Sequence, residues 1–305
     1  MLTVLALGGN ALLASGERGT AAEHRANLAT TFTAVRPLLD GEVVVTHGNG
    51  PQVGNELLRQ ELAAAEAPPL PLWVAVAQTQ AEIGTLAAAE LAPVAGKPAA
   101  VVVTHVVVDP ADPAFGAPTK PIGPHYDTLR ARELERDRGW TLREEPGRGW
   151  RRVVPSPKPL EVVELDSVRT LLEAGRLVVA VGGGGIPVVR RDRAFDGVDA
   201  VIDKDHASAL LAVGLGAQRL VILTQVPGVF RDFGAGADGG NGEPIPELSP
   251  ERDAALVDEL SAGSMRPKVE AAFTFVRETG GEALITSAEA VENGGAGTRI
   301  VPASG

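Results

Sequence analysis

Glycine-rich turns follow three strongly apolar runs of the sequence. Because glycine has no side chain, the backbone N–H groups of such a turn can approach an anion closely. The turns are Gly8, Gly9 and Asn10 after residues 2–7, Gly48, Asn49 and Gly50 after residues 42–47, and residues 182–185, with Gly183 and Gly184 at their centre, after residues 176–181. One turn of this kind could be only a tight connection, but three at the ends of predicted strands indicate a shared anion site.

Three of the five lysines occur where an anion site could use them. Arginine supplies the other 23 basic residues, so a retained lysine indicates a place that needs a compact ammonium group. Lys204, next to Asp205, and Lys268, after Pro267, lie at predicted helix starts, where unpaired N–H groups and the helix dipole attract anions. Lys120 is flanked by prolines in a turn-rich stretch that could bring it to the site. The alternative for each lysine is an ordinary surface charge.

Common nucleotide and metal patterns are missing from the sequence. A G-x-G-x-x-G pattern that begins at Gly182 or Gly183 would need glycine at position 187 or 188, where proline and valine occur. A Walker A loop is excluded because no lysine is followed by serine or threonine. The five histidines show no metal-ligand spacing, so no metal site made by the protein is predicted.

The glycine turns, the three lysines and Asp205 together fit phosphoryl transfer. Catalysis of that reaction consists mostly of positioning the reactants and neutralising charge on the transferred group. Backbone cradles, lysines and one aspartate can supply both functions, and no nucleophilic side chain is evident. If the acceptor is itself an anion, such as a carboxylate or carbamate, no general base is needed.

Short, nearly all-apolar runs rich in β-branched residues predict strands that are buried on both faces. They cover residues 2–7, 42–47, 99–105, 176–181, 219–224 and 283–286. Helical patterns over about residues 21–39, 51–65 and 73–91 separate them, so the sequence predicts an α/β fold with a mainly parallel sheet and helices on both faces. The insert at residues 109–155, rich in Pro, Gly, Arg and Glu, is predicted to be a lid or small subdomain.

Composition limits the class of protein. With 305 residues, 44% of them hydrophobic, the chain can form one large or two moderate globular domains. A net charge of −11 repels phosphate polymers, which argues against nucleic-acid binding. The chain has no cysteine for a disulfide or a thiolate site. Since the sequence shows neither a membrane-length apolar run nor a secretory signal, we expect no membrane partner and a cytoplasmic location.

Nine segments of the sequence show a resemblance to a known family. In chain order they are LALGGNALL, VVTHGNGPQVGN, QTQAEIG, PTKPIGPHY, GWRRVVPSPKP, VVAVGGGGIPVV, DAVIDKDHASALLA, LVILTQVPGVF and GSMRPKVEAA. Together they resemble the carbamate kinases of the amino-acid kinase family. The resemblance spans residues 5–272, and the combination is far more specific than any single turn.

The resemblance implies a three-layer αβα sandwich with a mainly parallel open sheet, formed as one domain over residues 1–305. An N-terminal lobe of about residues 1–215 would bind the acceptor, a C-terminal lobe of about residues 216–305 would bind the nucleotide, and residues 109–155 would be a protruding lid. The implied reaction is ATP + carbamate = ADP + carbamoyl phosphate, run toward ATP synthesis in arginine or nitrogen catabolism. A homodimer is also implied, with Mg²⁺ arriving on ATP or ADP.

The resemblance also implies roles for individual residues. Lys120 and Lys268 would stabilise charge on the transferred phosphoryl group, and Lys204 would assist at the nucleotide phosphates. Asp205 would orient the lysines. The acceptor and phosphate groups would be bound by Gly8, Gly9, Asn10, Gly48, Asn49, Gly50, Gly183 and Gly184, and the nucleotide by Thr224, Val226, Val229, Phe230, Met265 and Pro267. Pro227 departs from the family, since many members have a polar or acidic residue there.

Two alternative functions fit parts of the sequence. A kinase for another small carboxylate, such as N-acetylglutamate, usually has a lysine just before the first Gly-Gly pair, where this chain has Ala6 and Leu7. A nucleotide-sensing protein with a decayed site would not be expected to retain the three lysines and Asp205. The sequence therefore favours carbamate as the acceptor.

Overall fold

The computed structural model describes residues 1–14, 16–192, 194–231, 242–260, 265–295 and 297–303, with the backbone alone at residue 10. The strands are β1 (Leu2–Leu7), β2 (Glu42–His47), β3 (Ala99–Val101), β4 (His105–Val108), β5 (Lys120–Tyr126), β6 (Thr141–Glu145), β7 (Gly149–Val154), β8 (Pro159–Val162), β9 (Leu177–Val179), β10 (Ile186–Arg191), β11 (Ala194–Gly197), β12 (Arg219–Leu223), β13 (Val229–Phe230), β14 (Pro244–Ile245), β15 (Glu247–Leu248), β16 (Glu282–Thr286) and β17 (Thr298–Ile300).

The helices lie between these strands. They are α1 (Ala21–Ala34), α2 (Gly50–Ala63), α3 (Leu72–Ala95), α4 (Thr128–Arg138), α5 (Leu165–Glu173), α6 (Lys204–Leu215), α7 (Leu256–Glu259), α8 (Arg266–Thr279) and α9 (Ala288–Glu292). The described helices, including the 24-residue α3, are each too short or too polar to cross a membrane.

The described residues form a central eight-stranded sheet in the order β15-β17-β16-β12-β1-β2-β9-β3. Its neighbouring strands pair in parallel, except that β16 and β17 are antiparallel. The mainly parallel sheet that the sequence predicts is thus confirmed. Because the carboxyl ends of parallel strands share one edge, the glycine turns after β1, β2 and β9 come close together there.

Helices cover both faces of this sheet, as alternate strand residues show. Leu5 of β1 lies in a buried cluster with Phe32 of α1, and its neighbour Val4 lies in a second cluster with Phe275 of α8. All four side chains are fully buried. Two apolar clusters on opposite faces make the three-layer αβα sandwich, and the predicted fold class is confirmed.

The predicted strand at residues 99–105 is divided into β3 and β4, which belong to different sheets. Gln80 of α3 explains the break: its Nε2 donates to the carbonyl of Thr104 (3.0 Å) and its Oε1 accepts the N–H of Thr104 (2.9 Å). A buried side-chain amide thus bonds both backbone groups of Thr104, whose carbonyl also accepts the N–H of Ile186 in β10 (2.9 Å). Strand β4 continues in a second sheet of order β11-β10-β4-β8.

Residues 120–154 form a small antiparallel sheet of order β5-β7-β6 with helix α4. Ala131, Leu134 and Leu142 form its buried centre, and Trp140 and Trp150 pack against them. This segment, called here the subdomain, lies inside the insert predicted from the sequence and has an apolar core of its own. Its movement as a lid stays a prediction.

Gly8 is predicted to tolerate substitution less well than Gly9. A Cβ atom at Gly8 would lie 2.6 Å from the carbonyl oxygen of Leu223 in β12, whereas a Cβ atom at Gly9 would have no heavy atom within 4 Å. Gly8→Ala should therefore lower the free energy of unfolding by about 1 to 3 kcal/mol, and Gly9→Ala should leave it nearly unchanged. Urea unfolding of both variants measures the difference. Equal stability of the two variants would contradict the close contact of Gly8 with β12.

Candidate active site

Helix α6 places Lys204 and Asp205 in its first turn because Asp203 caps the helix. The Oδ1 atom of Asp203 accepts the backbone N–H of Asp205 (2.9 Å), which satisfies one of the free N–H groups at the helix start. The predicted helix start near residues 203–206 is confirmed.

A buried carboxylate holds two ammonium groups together. The Nζ atom of Lys204 lies 2.5 Å from Oδ1 of Asp205, and the Nζ atom of Lys268 lies 3.3 Å from Oδ2. The Asp205 side chain is 4% exposed and each lysine side chain is 14% exposed. Without the carboxylate, two cations this close would repel each other strongly, because little water is present to screen them. Asp205 therefore makes the lysine pair possible, and these three groups together carry one positive charge.

The two lysines come from helices that pack against each other. Helix α8 has Pro267 in its first turn, where the missing N–H of proline removes no hydrogen bond. Helix α6 is tied to the sheet through Ser208, whose Oγ donates to the carbonyl of Lys204 (2.6 Å) and shares a hydrogen bond with Thr46 of β2 (2.6 Å). The sheet thus fixes the backbone position of Lys204.

Two cavities meet at the lysine pair. The β12 cavity, of about 360 Å³, is lined by Gly8, Gly9, Ala11, Thr31, Lys204, Leu223, Thr224, Gln225, Lys268 and Ala288. The β5 cavity, of about 270 Å³, has a lining that includes Gly9, Gly48, Asn49, Gly50, Lys120, Gly183, Asp203, Lys204, Asp205, Pro267 and Lys268. Gly9, Lys204 and Lys268 line both cavities, so the ammonium groups lie at their junction.

Two glycines in the turns around the β5 cavity lie close to neighbouring side chains, and at Gly183 the backbone conformation also favours glycine. A Cβ atom at Gly48 would lie 3.3 Å from Cδ of Lys204. Gly183 has a φ of +65°, and a Cβ atom there would overlap the side chain of Asn49. The amide of Asn49 in turn donates to Oγ1 of Thr79 (3.0 Å), so this side chain also holds the turn after β2 in place.

Several other residues that were predicted to bind phosphate or nucleotide do not line either cavity. Gly184 lines neither cavity, and the side chain of Asn10 lies outside the described part of the chain. Thr224 lines the β12 cavity and Pro267 the β5 cavity, while neither cavity is lined by Val226, Val229, Phe230 or Met265. The roles assigned to all of these residues stay predictions.

Sequence reasoning did not assign a role to several residues that line the cavities. Thr31 of α1 and Ala288 of α9 line the β12 cavity, although neither belongs to a glycine turn or to a charged helix start. Gln225 could have been found from its position next to Thr224. Asp203 had a visible signal as a helix cap, but its contact with Lys120, an ion pair of 2.8 Å between the subdomain and α6, had none.

The imidazole of His47, the last residue of β2, is kept neutral by burial. It is fully buried, and its Nδ1 atom lies 2.9 Å from the carbonyl of Gly48. Burial lowers the pKa of His47 to about 4, and the positive charge of Lys204 contributes in the same direction. The imidazole therefore adds no charge to the site near neutral pH.

A metal ion held by the protein would need a cluster of side-chain ligands. The described residues contain no group of three or more His, Cys, Asp or Glu side chains that could hold one. The carboxylates of Asp203 and Asp205 are both paired with lysines.

Comparison with known proteins identifies the family. Residues 1–287 match the amino acid kinase family. The carbamate kinase of Halobacterium salinarum is 44% identical to this chain, over 99% of this chain and 98% of that protein. The chain belongs to the amino acid kinase family. Another member, the carbamate kinase of Lentilactobacillus hilgardii, is 43% identical, with 97% and 96% of the two chains covered.

A solved structure of an amino acid kinase family member agrees with this assignment. The carbamate kinase from Giardia lamblia bound to AMP-PNP has a TM-score of 0.88 and 40% identity, covering 99% of this chain and 98% of that one. The resemblance to carbamate kinases seen in the sequence is thus confirmed, and the chain is a phosphotransferase of the kinase class.

The buried His47 predicts how stability depends on pH. Because burial favours the neutral imidazole, the folded protein binds fewer protons than the unfolded chain between pH 6.5 and about 4. The free energy of unfolding should therefore fall by roughly 1 kcal/mol per pH unit over this range. Urea unfolding at pH 7, 6 and 5 measures the slope. His47→Gln should reduce the slope, and an unchanged slope in that variant would assign the effect to other groups.

Proposed function

We propose that this protein transfers a phosphoryl group reversibly between ATP and carbamate, giving ADP and carbamoyl phosphate. The supporting observation is the pair of ammonium groups of Lys204 and Lys268, held by Asp205 where two cavities meet. A transferred phosphoryl group needs positive charge at such a junction. The relatives described above, which are carbamate kinases over nearly the whole chain, support carbamate as the acceptor.

Each cavity would hold one substrate. The β12 cavity is the larger, and it borders Thr224 in the segment that resembles a nucleotide-binding wall. ATP would bind there with its terminal phosphate at Gly8 and Gly9. Carbamate would bind in the β5 cavity, where the turn of Gly48 and Gly50 exposes backbone to a small anion.

The reaction would then proceed by direct transfer at the junction. An oxygen of carbamate attacks the γ-phosphorus of ATP, and the bond from that phosphorus to the β–γ bridging oxygen breaks, so that ADP leaves with the bonding electrons. Carbamate is already an anion, so no side chain has to remove a proton first. The ammonium groups of Lys204 and Lys268 would donate to the phosphoryl oxygens while negative charge spreads over them.

Lys120 would add a third ammonium group from the subdomain. Its side chain lines the β5 cavity and is 34% exposed, more than those of Lys204 and Lys268. As part of a lid over residues 109–155, Lys120 would complete the set of charges only when the lid closes. Closure would also exclude water and so limit hydrolysis of ATP when no acceptor is bound.

The alternative acceptor, N-acetylglutamate, is less well supported. Ala6 and Leu7, which precede the first Gly-Gly pair, are buried apolar residues that offer no charge to a second carboxylate. The relatives with 43% and 44% identity are carbamate kinases. A single small anion is therefore the better match to the β5 cavity.

The cellular role and assembly extend the same proposal. We expect the reaction to run toward ATP synthesis in arginine or nitrogen catabolism, in the cytoplasm, where ADP is available. We also expect a homodimer. Strand β3 is an edge of the central sheet. Its last residue, Val101, is 37% exposed and the nearby Val103 is 41% exposed, which favours cover by a second copy. Sedimentation of the purified protein measures the number of chains.

Mg²⁺ would bind with the nucleotide. Since the described residues offer no ligand cluster of their own, its ligands would be phosphate oxygens and water. The bound ion would neutralise phosphate charge. ATP formation should stop in EDTA and return on addition of MgCl₂, and the nucleotide-free protein should retain no metal after dialysis. One equivalent of metal retained under those conditions would contradict this proposal.

Lys268→Ala tests the proposed function and the lysine pair together. Removal of one preorganised donor to the transferred group should lower kcat for ATP formation from carbamoyl phosphate and ADP by about 10² to 10³, with a smaller rise in KM. Lys158→Ala, at an exposed lysine that lines neither cavity, is the matched control and should retain full turnover. The rate is measured by coupling ATP to a second enzyme.

Three results of this assay are informative. Wild-type protein that forms no ATP from carbamoyl phosphate refutes the proposed function. Wild-type protein that forms no ATP from carbamoyl phosphate but converts ATP to ADP when N-acetylglutamate is added supports the alternative. A loss of less than about fivefold in Lys268→Ala would mean that Lys268 has a structural role beside Asp205 and is not a donor to the transferred group.

A further inference from the structure

The carboxylate of Asp203 joins two distant parts of the chain. Its Oδ1 atom accepts the N–H of Asp205 and caps α6 (2.9 Å), and its Oδ2 atom accepts the ammonium group of Lys120, the first residue of β5 (2.8 Å). The side chain of Asp203 is 20% exposed, so water screens the ion pair only in part. One side chain thus contacts both the subdomain and the helix that presents Lys204.

A helix cap alone does not require this side chain. Serine, asparagine or aspartate caps a helix through a single oxygen, and that oxygen in Asp203 is Oδ1. The second oxygen is what needs a carboxylate, because it faces an ammonium group. Burial by itself would raise the pKa of the Asp203 carboxyl, but the charge and the hydrogen bond of Lys120, together with the charge of Lys204, outweigh burial and hold the pKa well below its usual value.

The ion pair also counters repulsion inside the β5 cavity. Lys120 shares that cavity with Lys204 and Lys268, and an unpaired third ammonium group would be driven out of it. The other end of β5 is held differently. There Tyr126 donates to Glu61 of α2 (3.0 Å), which also pairs with Arg130 of the subdomain. Asp203 is therefore the anionic contact at the end of β5 that faces the site.

We propose that Asp203 is a positioning residue. Its carboxylate links the subdomain to α6 and so sets the position of the Lys120 ammonium group relative to that of Lys204. Asp203 does not act on substrate; it acts through Lys120. The effect on turnover rests on the proposed function, whereas the mechanical coupling does not.

The coupling is tested without any activity measurement. The chain has no cysteine, so Leu129→Cys in α4 and Ser167→Cys in α5, both exposed positions, can receive spin labels selectively. Asp203→Asn keeps a capping oxygen for Asp205 but loses the anion that holds Lys120. In this background the label-to-label distance distribution, measured by pulsed electron paramagnetic resonance, should broaden.

The matched control is Asp127→Asn, at the exposed cap of α4, where Oδ1 accepts the N–H of Arg130 (2.8 Å). It should leave the distribution unchanged. Asp203→Ser, which also keeps the cap, provides a second variant if Asp203→Asn folds poorly. An unchanged distribution in a folded Asp203 variant overturns the proposal, whether or not the protein is an active kinase.

A kinetic cycle tests the consequence for turnover. Asp203→Asn should lower kcat for ATP formation by about 10- to 100-fold through misplacement of Lys120, with little change in the KM for ADP. If Asp203 acts through Lys120, the double variant with Lys120→Met should be no slower than Lys120→Met alone. Losses that multiply in the double variant would overturn the proposed route. Absence of ATP formation by the wild type would instead refute the proposed function, while the spin-label experiment still decides the coupling.

Discussion

Two ammonium groups share one buried carboxylate in this protein, and the arrangement of the chain around them follows from that constraint. Lys204 and Lys268 can lie side by side, nearly withdrawn from water, only because Asp205 is between them. The lysines belong to α6 and α8, so these helices must pack with their N-termini together. The central sheet holds α6 in place through Ser208. This side chain is hydrogen-bonded to Thr46 of β2 and to the backbone of Lys204, and it thereby fixes the position of Lys204 relative to the sheet.

The glycine turns meet a second requirement of the lysine pair, which is room for the backbone to approach a bound group. A cluster of cations binds a phosphoryl group only if the backbone can approach the group closely, and bulky side chains would prevent that. At Gly8 the approach to Leu223 leaves no room for a Cβ atom, and at Gly48 the approach is to the stem of Lys204 itself. The neutral His47 fits this pattern, because a buried imidazolium next to Lys204 would add repulsion where the charge is already unbalanced.

Local patterns predicted much of this arrangement. Apolar, β-branched runs located the strands of the central sheet, and Pro267 with the lysines marked the helix starts, because these features depend on neighbours in sequence. The break at Thr104 could not be predicted, since it depends on Gln80 of a separate helix. The ion pair of Lys120 with Asp203 could not be predicted for the same reason, because 83 residues separate the partners and the local sequence of neither residue indicates the other.

The junction of the two cavities also bears on inhibition. Gly9, Lys204 and Lys268 border both, so ligands in the β12 cavity and in the β5 cavity would end within reach of the same ammonium groups. A single molecule that spans both cavities would bring its second half to the protein at the high effective concentration set by a short linker. Such a compound would gain affinity without any new contact, and its selectivity would come from the distance between the two cavities rather than from either cavity alone.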